Sequence, residues 1–243
     1  QPWVRRDRDC RIAQGENHQM MERSSYKVFN GKTSFILLGE AGSGKTEISI
    51  NLALYLSSLR TKPVHLFDMD QTKPMFRARD RESELARGGV TLHYQSQFLD
   101  APTVAPGVAR YASDADFYTL FDIGGGYYGT HMMGQFSSLF TNASAMVLYI
   151  VNPFRPWSRT RAEIDESMER TLRACGLKAD AIIANPNIGQ DTTRENILCG
   201  LDRIRDMLPE YKIELVTVMD RYADISSCVS TPVFPMALQS IAY

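Results

Sequence analysis

Between residues 39 and 46 the chain reads Gly39-Glu40-Ala41-Gly42-Ser43-Gly44-Lys45-Thr46, a pattern in which each residue type suits one task on a polyphosphate. The glycines leave room for backbone N–H groups to curl around phosphate oxygens, and a helix starting directly afterwards turns its positive end on the same anion. Lys45 supplies an ammonium, expected on an exposed loop, that spans the β- and γ-phosphates, and Thr46 supplies a hydroxyl for Mg²⁺. A bare glycine-rich turn ahead of a helix is common and means little. Here every fixed position is filled, the apolar run Phe35-Ile36-Leu37-Leu38 precedes the loop and a helical pattern follows it, which is the context the motif requires. Nucleoside triphosphate binding is the expectation; hydrolysis is left open.

Carboxylates at the ends of two further apolar runs extend the chemistry. His65-Leu66-Phe67-Asp68-Met69-Asp70 ends in two acids, and Tyr118-Thr119-Leu120-Phe121-Asp122 ends in one, followed by Gly124-Gly125-Gly126. A lone Asp at a strand end usually caps a turn. Beside a phosphate loop the same acids can hold Mg²⁺ or orient water, and glycines can offer backbone N–H groups to a γ-phosphate. Asp122 is therefore expected in the magnesium sphere with Thr46, Asp70 as the water-orienting catalytic residue alongside Lys45, Gly125 as a phosphate contact, and Asp68 as structural.

To bring these residues together the chain must form a sheet whose strand ends meet. Short runs rich in β-branched and aromatic residues predict strands over 34–38, 64–67, 117–121, 145–151, 181–184 and 214–218, and helical spacing predicts helices over 45–58, 131–140, 159–175, 193–207 and a short one near 222–228. This alternation predicts an α/β fold: a doubly wound, mostly parallel sheet with helices on both faces, binding its ligand at the carboxyl ends of the strands. Residues 78–116 fit the pattern less well; they are expected to give an edge strand near 90–94 and a Pro-containing loop over 101–107. Residues 24–243 read as one domain. Residues 1–23, with the run Arg5-Arg6-Asp7-Arg8-Asp9 and with Met20 and Met21 near their end, read as a disordered extension or a mis-called start.

Composition removes other classes. Hydrophobic residues make up 44% and charged residues 23% of the 243, with a net charge of −1, a balance that suits a globular chain and gives no electrostatic footprint for nucleic acid. No apolar run approaches the roughly 20 residues of a membrane-spanning helix, and a cytoplasmic protein is expected. Cys10, Cys175, Cys199 and Cys228 form no CxxC pair, so no zinc or iron–sulfur ligand set is visible.

The phosphate loop, Phe67-Asp68-Met69-Asp70, Asp122-Ile123-Gly124-Gly125-Gly126, Val151-Asn152-Pro153 with Ser158-Arg159-Thr160-Arg161, and Ile183-Ala184-Asn185-Pro186-Asn187 together resemble the MinD/ParA group of P-loop ATPases, a branch of the SIMIBI class. The resemblance, which runs from residue 34 onward, implies ATP and Mg²⁺ as cofactors, Asp70 as the acid that positions water, Asp122 opening the second switch, and Asn185 contacting adenine, with Met219-Asp220-Arg221 bordering the base. Asn185 reads equally well as an ordinary turn residue in Asn-Pro-Asn. A guanine site of the Asn-Lys-x-Asp kind would place Asp at position 188, where the chain has Ile188. The chain departs from the family at Glu40, where a signature Lys would reach a partner's phosphates across a dimer. A carboxylate there repels phosphate, so slow hydrolysis and a monomer or weak dimer are expected. Residues 226–243 contain no Lys or Arg, so the basic amphipathic helix that anchors some family members to membranes is not expected.

Other groups read as ordinary. Arg77, Arg79 and Arg81 predict a solvated helix face. Tyr127 and Tyr128 suit either a partner surface that moves with the switch or strand-edge packing. His65, His93 and His131 share no ligand spacing, and Met132-Met133 suit a core. The leading functional expectation is an ATPase switch acting on an unidentified protein partner. A small-molecule kinase or ATP-dependent synthetase of the same class, with residues 90–116 shaping a substrate pocket, and a module that senses ATP without hydrolysing it are the alternatives.

Overall fold

The structure, a computed structural model, describes residues 26–70, 78–94, 107–125 and 127–237, with the backbone alone of Tyr127 and Tyr128. The expectations for residues 1–23, Arg77, most of the loop over 101–107 and the side chains of Tyr127 and Tyr128 therefore fall outside the described residues.

Eight strands among these residues form one sheet: β1 (Ser34–Leu38), β2 (Val64–Asp68), β3 (Val90–His93), β4 (Tyr118–Asp122), β5 (Ala145–Val151), β6 (Ala181–Ala184), β7 (Ile213–Met219) and β8 (Val233–Met236). Their order is β3-β2-β4-β1-β5-β6-β7-β8, and every pairing is parallel. Parallel strands require crossovers, and the chain supplies them with α1 (Lys45–Ser58), α2 (Glu82–Arg87), α3 (Val108–Ala112), α4 (Tyr127–Gly134), α5 (Arg161–Cys175) and α6 (Arg194–Met207). The helices cover both faces, which is why the central strands are unbroken apolar runs rather than alternating ones. Phe35 and Leu37 of β1 pack with Ile48, Leu52 and Leu56 of α1 on one face; Ile36 and Leu38 pack with Met133 of α4, Ile164 and Met168 of α5 and Ile197 and Leu201 of α6 on the other. β1 lies between β4 and β5, so the chain leaves it at the point where the winding reverses, which is where sheets of this kind bind their ligands.

Several element boundaries differ from the expectation. The helix expected over 131–140 starts earlier, at Tyr127, and stops at Gly134, where a Cβ would meet the Ala174 carbonyl of α5 at 3.0 Å; a 3-10 turn then covers Ser137–Phe140. The helix expected from 159 begins at Arg161, because the Thr160 side chain caps it by accepting from the Glu163 N–H while Glu163 reaches back to the Thr160 N–H. β8 was not expected. It contains Pro235, which demotes a strand in sequence but is tolerated at a sheet edge, and β8 is the edge beyond β7. From residue 78 onward the edge strand expected near 90–94 is β3, and around it lie a 3-10 turn at Ala78–Arg81, α2 and α3, which the sequence pattern did not show.

Candidate nucleotide-binding site

The phosphate loop follows β1 and runs into α1 with no side chain capping the helix; Gly44 takes the cap position at φ 98°. That conformation favours glycine, and a Cβ at Gly44 would lie 2.2 Å from Asn185 Nδ2. The first N–H groups of α1 are thus left for an anion. Lys45 is buried, contrary to the expectation of an exposed ammonium, at 4% accessibility. Its Nζ donates to the Glu40 carbonyl at 2.9 Å, folding the side chain back over the loop.

Asn185, at the end of β6, donates from Nδ2 to the Ser43 carbonyl at 2.7 Å and accepts from Thr217 Oγ1 of β7 at 2.8 Å. Its side chain is 3% exposed and braces the loop from behind. Arg155, in the segment after β5, donates from Nε to the Gly42 carbonyl at 3.0 Å. Glu40 does not stand unpaired before the phosphate cradle: its carboxylate pairs with Arg170 of α5 in the same chain.

The acids converge on the loop. Parallel registry sets Asp122 beside Leu37 of β1 and Asp68 of β2. Asp122 is buried close to Thr46, and its carboxyl is pushed up to about 7, first by burial and then by the charge of Asp68, against the pull of Thr46 and Lys45. Its Oδ2 has no hydrogen-bond partner among the described residues. Asp68 is committed: it accepts from the Asp70 N–H at 3.0 Å and from Arg79 Nε at 3.1 Å, while Arg79 Nη2 also donates to the Asp70 carbonyl. Asp70 is held by this clasp against the glycines, and a Cβ on Gly124 would lie 3.0 Å from Asp70 Oδ1. Gly125 rests on the loop itself, where a Cβ would meet the Ala41 nitrogen at 2.5 Å. Gly39 to Thr46, Asp70, Asp122, Gly125 and Asn185 are therefore gathered at one end of the sheet.

A further expectation needs correction. Arg79 and Arg81 do not form a solvated face: Arg79 clasps buried Asp68, and Arg81, 9% exposed at its side chain, pairs with Glu84 and lies 3.7 Å from Glu47. His65 and His93, which share no ligand spacing in sequence, meet across β2 and β3, where His65 Nδ1 lies 2.8 Å from His93 Nε2. Arg155, Arg170 and Thr217 escaped sequence reading because nothing local marks them; each reaches the loop only through the packing of a distant element.

A buried carboxylate oxygen lacking a partner, beside a threonine hydroxyl and a lysine at a helix N-terminus, fits a magnesium-bound polyphosphate. Among the described residues no cluster of three or more His, Cys, Asp or Glu forms a self-sufficient metal cage, so a cation here draws further ligands from phosphate and water. Loop, acids and sheet order together define a P-loop NTPase of the SIMIBI class. The description of the CobQ/CobB/MinD/ParA nucleotide-binding domain matches residues 35–213, and the chain belongs to that family. Among solved structures it is similar to cell division protein FtsY from Thermotoga maritima, at 15% identity and a TM-score of 0.51 over 77% of this chain and 62% of that one. It is similar also to FtsY from Mycoplasma mycoides, at 18% identity and a TM-score of 0.50 over 77% of this chain and 61% of that one. The chain thus spans less than two thirds of the length of either, and at such identity the likeness is one of fold. Among curated proteins no sequence matches. Among the described residues no helix is long and apolar enough to cross a membrane.

Proposed function

We propose that this chain binds Mg²⁺-ATP, hydrolyses it slowly, and acts as a conformational switch on a protein partner. The observation that carries the reading is the Thr46–Asp122 pair at the mouth of the phosphate loop, with the buried Asp122 Oδ2 lacking a partner. An unsatisfied carboxylate oxygen in such a place is costly unless a cation completes it. Thr46 and Asp122 would hold Mg²⁺, which when bound neutralises charge on the phosphates. Lys45 would exchange the Glu40 carbonyl for β- and γ-phosphate oxygens. Asp70, fixed by Asp68 and Arg79, would orient the attacking water. Gly125, seated against Ala41, would offer its N–H to the γ-phosphate and relax once that phosphate leaves, moving α4, which begins two residues later. That helix is where a partner would read the change.

The preference for adenine rests on position 188, which is Ile188 and 47% exposed, in place of the acid that pairs with guanine. Asn185, as the family resemblance implies, would border the base while bracing Ser43. Titration calorimetry of the full chain with Mg²⁺-ATP and Mg²⁺-GTP tests the reading: ATP should bind several-fold more tightly, and equal or reversed affinities would defeat the assignment of the base. Phosphate release that stays slow and substrate-independent agrees with a switch, whereas ADP formation that requires a small molecule would favour the kinase or synthetase alternative.

A further inference from the structure

We propose that Arg170 is a positioning residue for the triphosphate: from α5 of the same chain it neutralises Glu40 and keeps that carboxylate turned away from the phosphates. The proposal rests on the nucleotide-binding reading above and adds to it a residue outside the loop and the strand ends. Glu40 is the second residue of the phosphate loop, and its own carbonyl accepts from Lys45 Nζ. The backbone of residue 40 therefore lines the cradle while its side chain carries the opposite of the charge wanted there. That side chain is 13% exposed, whereas Arg170 is 62% exposed at its side chain, so the acid is fixed inside the loop region and the arginine comes to it from solvent. Asp68, another buried acid nearby, has its own arginine in Arg79.

An ion pair whose cation is this exposed contributes little to folding. Its consequence lies in binding, because a polyphosphate brings several negative charges to a site already holding Asp70 and Asp122. One uncompensated carboxylate in the loop repels such a ligand, and with solvent and salt screening the open site the loss in binding is on the order of tenfold. With Arg170 in place the loop reaches near-neutrality at residue 40 without a cation from a second subunit, so a single chain is competent to take up triphosphate. α5 also packs on α4, whose Gly134 backbone lies against Ala174 of α5, so the pair ties the loop to the helix layer that follows the switch glycines.

The test is a charge cycle on the full chain, reading affinity for Mg²⁺-ATP, Mg²⁺-GTP and adenosine by calorimetry at low salt. Arg170→Ala should weaken whichever triphosphate binds wild type better by roughly 5- to 20-fold while leaving adenosine affinity and the melting temperature nearly unchanged. Glu40→Gln should tighten triphosphate binding a few-fold, the Glu40→Gln/Arg170→Ala double variant should recover most of the loss, and Arg170→Lys should retain most of the wild-type affinity. Wild-type affinity in Arg170→Ala, or a double variant as weak as Arg170→Ala alone, overturns the proposal. Binding of neither nucleotide to the wild type is a different failure, because it removes the nucleotide-binding reading on which the proposal stands.

Discussion

Lys45 and Asp122 are buried groups of opposite charge that the surrounding protein satisfies unequally. Lys45 has the Glu40 carbonyl, so Lys45→Ala should leave the fold in place and remove a charge-assisted phosphate contact of about 1.5–3 kcal/mol, or roughly 10- to 150-fold in triphosphate affinity. Unchanged affinity, measured by calorimetry, would overturn the assignment of the loop. Asp122 is strained in the other direction. Its raised carboxyl pKa means the folded chain holds that proton more tightly than the unfolded chain, so the stability it contributes is present at low pH and lost as pH rises through about 7. Asp122→Asn should therefore melt higher than wild type at pH 8 without nucleotide, by roughly 2–4 °C for each kcal/mol recovered, and should lose the further stabilisation that Mg²⁺ with ATP gives wild type. An Asn variant that melts lower at pH 8, or that keeps the Mg²⁺ effect, would show that Asp122 is an ordinary structural acid.

Elements, rather than residues, make the second pH-sensitive spot. β2 and β3 lie side by side at one edge of the sheet, and their registry brings His65 against His93, with Tyr111 of α3 stacked on His65 at 4.2 Å and Phe67 stacked on His93 at 4.4 Å. Burial, then the neighbouring His93 and Arg110, lowers the His65 pKa to about 4. The folded state thus refuses a proton that the unfolded chain accepts from about pH 6.5 downward, so the contribution is full above 6.5 and is lost as pH falls toward 4. Melting curves of wild type should decline across this window, and His65→Gln should flatten the decline. Parallel curves for the two proteins would show that other groups set the acid limit. At this scale periodicity in the sequence located β1, α1, β5 and β6 to the residue, because each is a long or uniformly apolar element whose neighbours agree with it. It placed the edge strand β3 within residues 90–94 but did not locate β8, which contains a proline, or the short helices α2 and α3 on either side of β3.

The whole molecule decides whether the site works alone. A family member with a Lys in place of Glu40 would complete its partner's site across a dimer; here Arg170 answers position 40 from within. Sedimentation of wild type with and without Mg²⁺-ATP should show no robust dimer, and phosphate release should stay slow and independent of protein concentration. Dimerisation on ATP would show that two chains can meet face to face despite Glu40. Glu40→Lys would set two cations against each other at α5, so the freed side chain is expected to speed hydrolysis only if two chains can approach, with a rate that rises with concentration.

Residue order alone determined the loop, the acids at the strand ends and the parallel α/β layout, because those signals are local: a phosphate cradle ahead of α1 needs its glycines, and a strand buried on both faces must be apolar throughout. It could not assign Arg79, Arg81, Arg170 or the His65–His93 pair, since charged residues on helical spacing look alike in solvent and in a clasp. Only the winding of the chain sets Asp68 beside Arg79, and α5 beside the loop, so that Arg170 meets Glu40 across 130 positions of sequence. Contacts at such separation are fixed by which helix crosses which face of the sheet, and that choice is made by the packed core as a whole, not by the residues that use it.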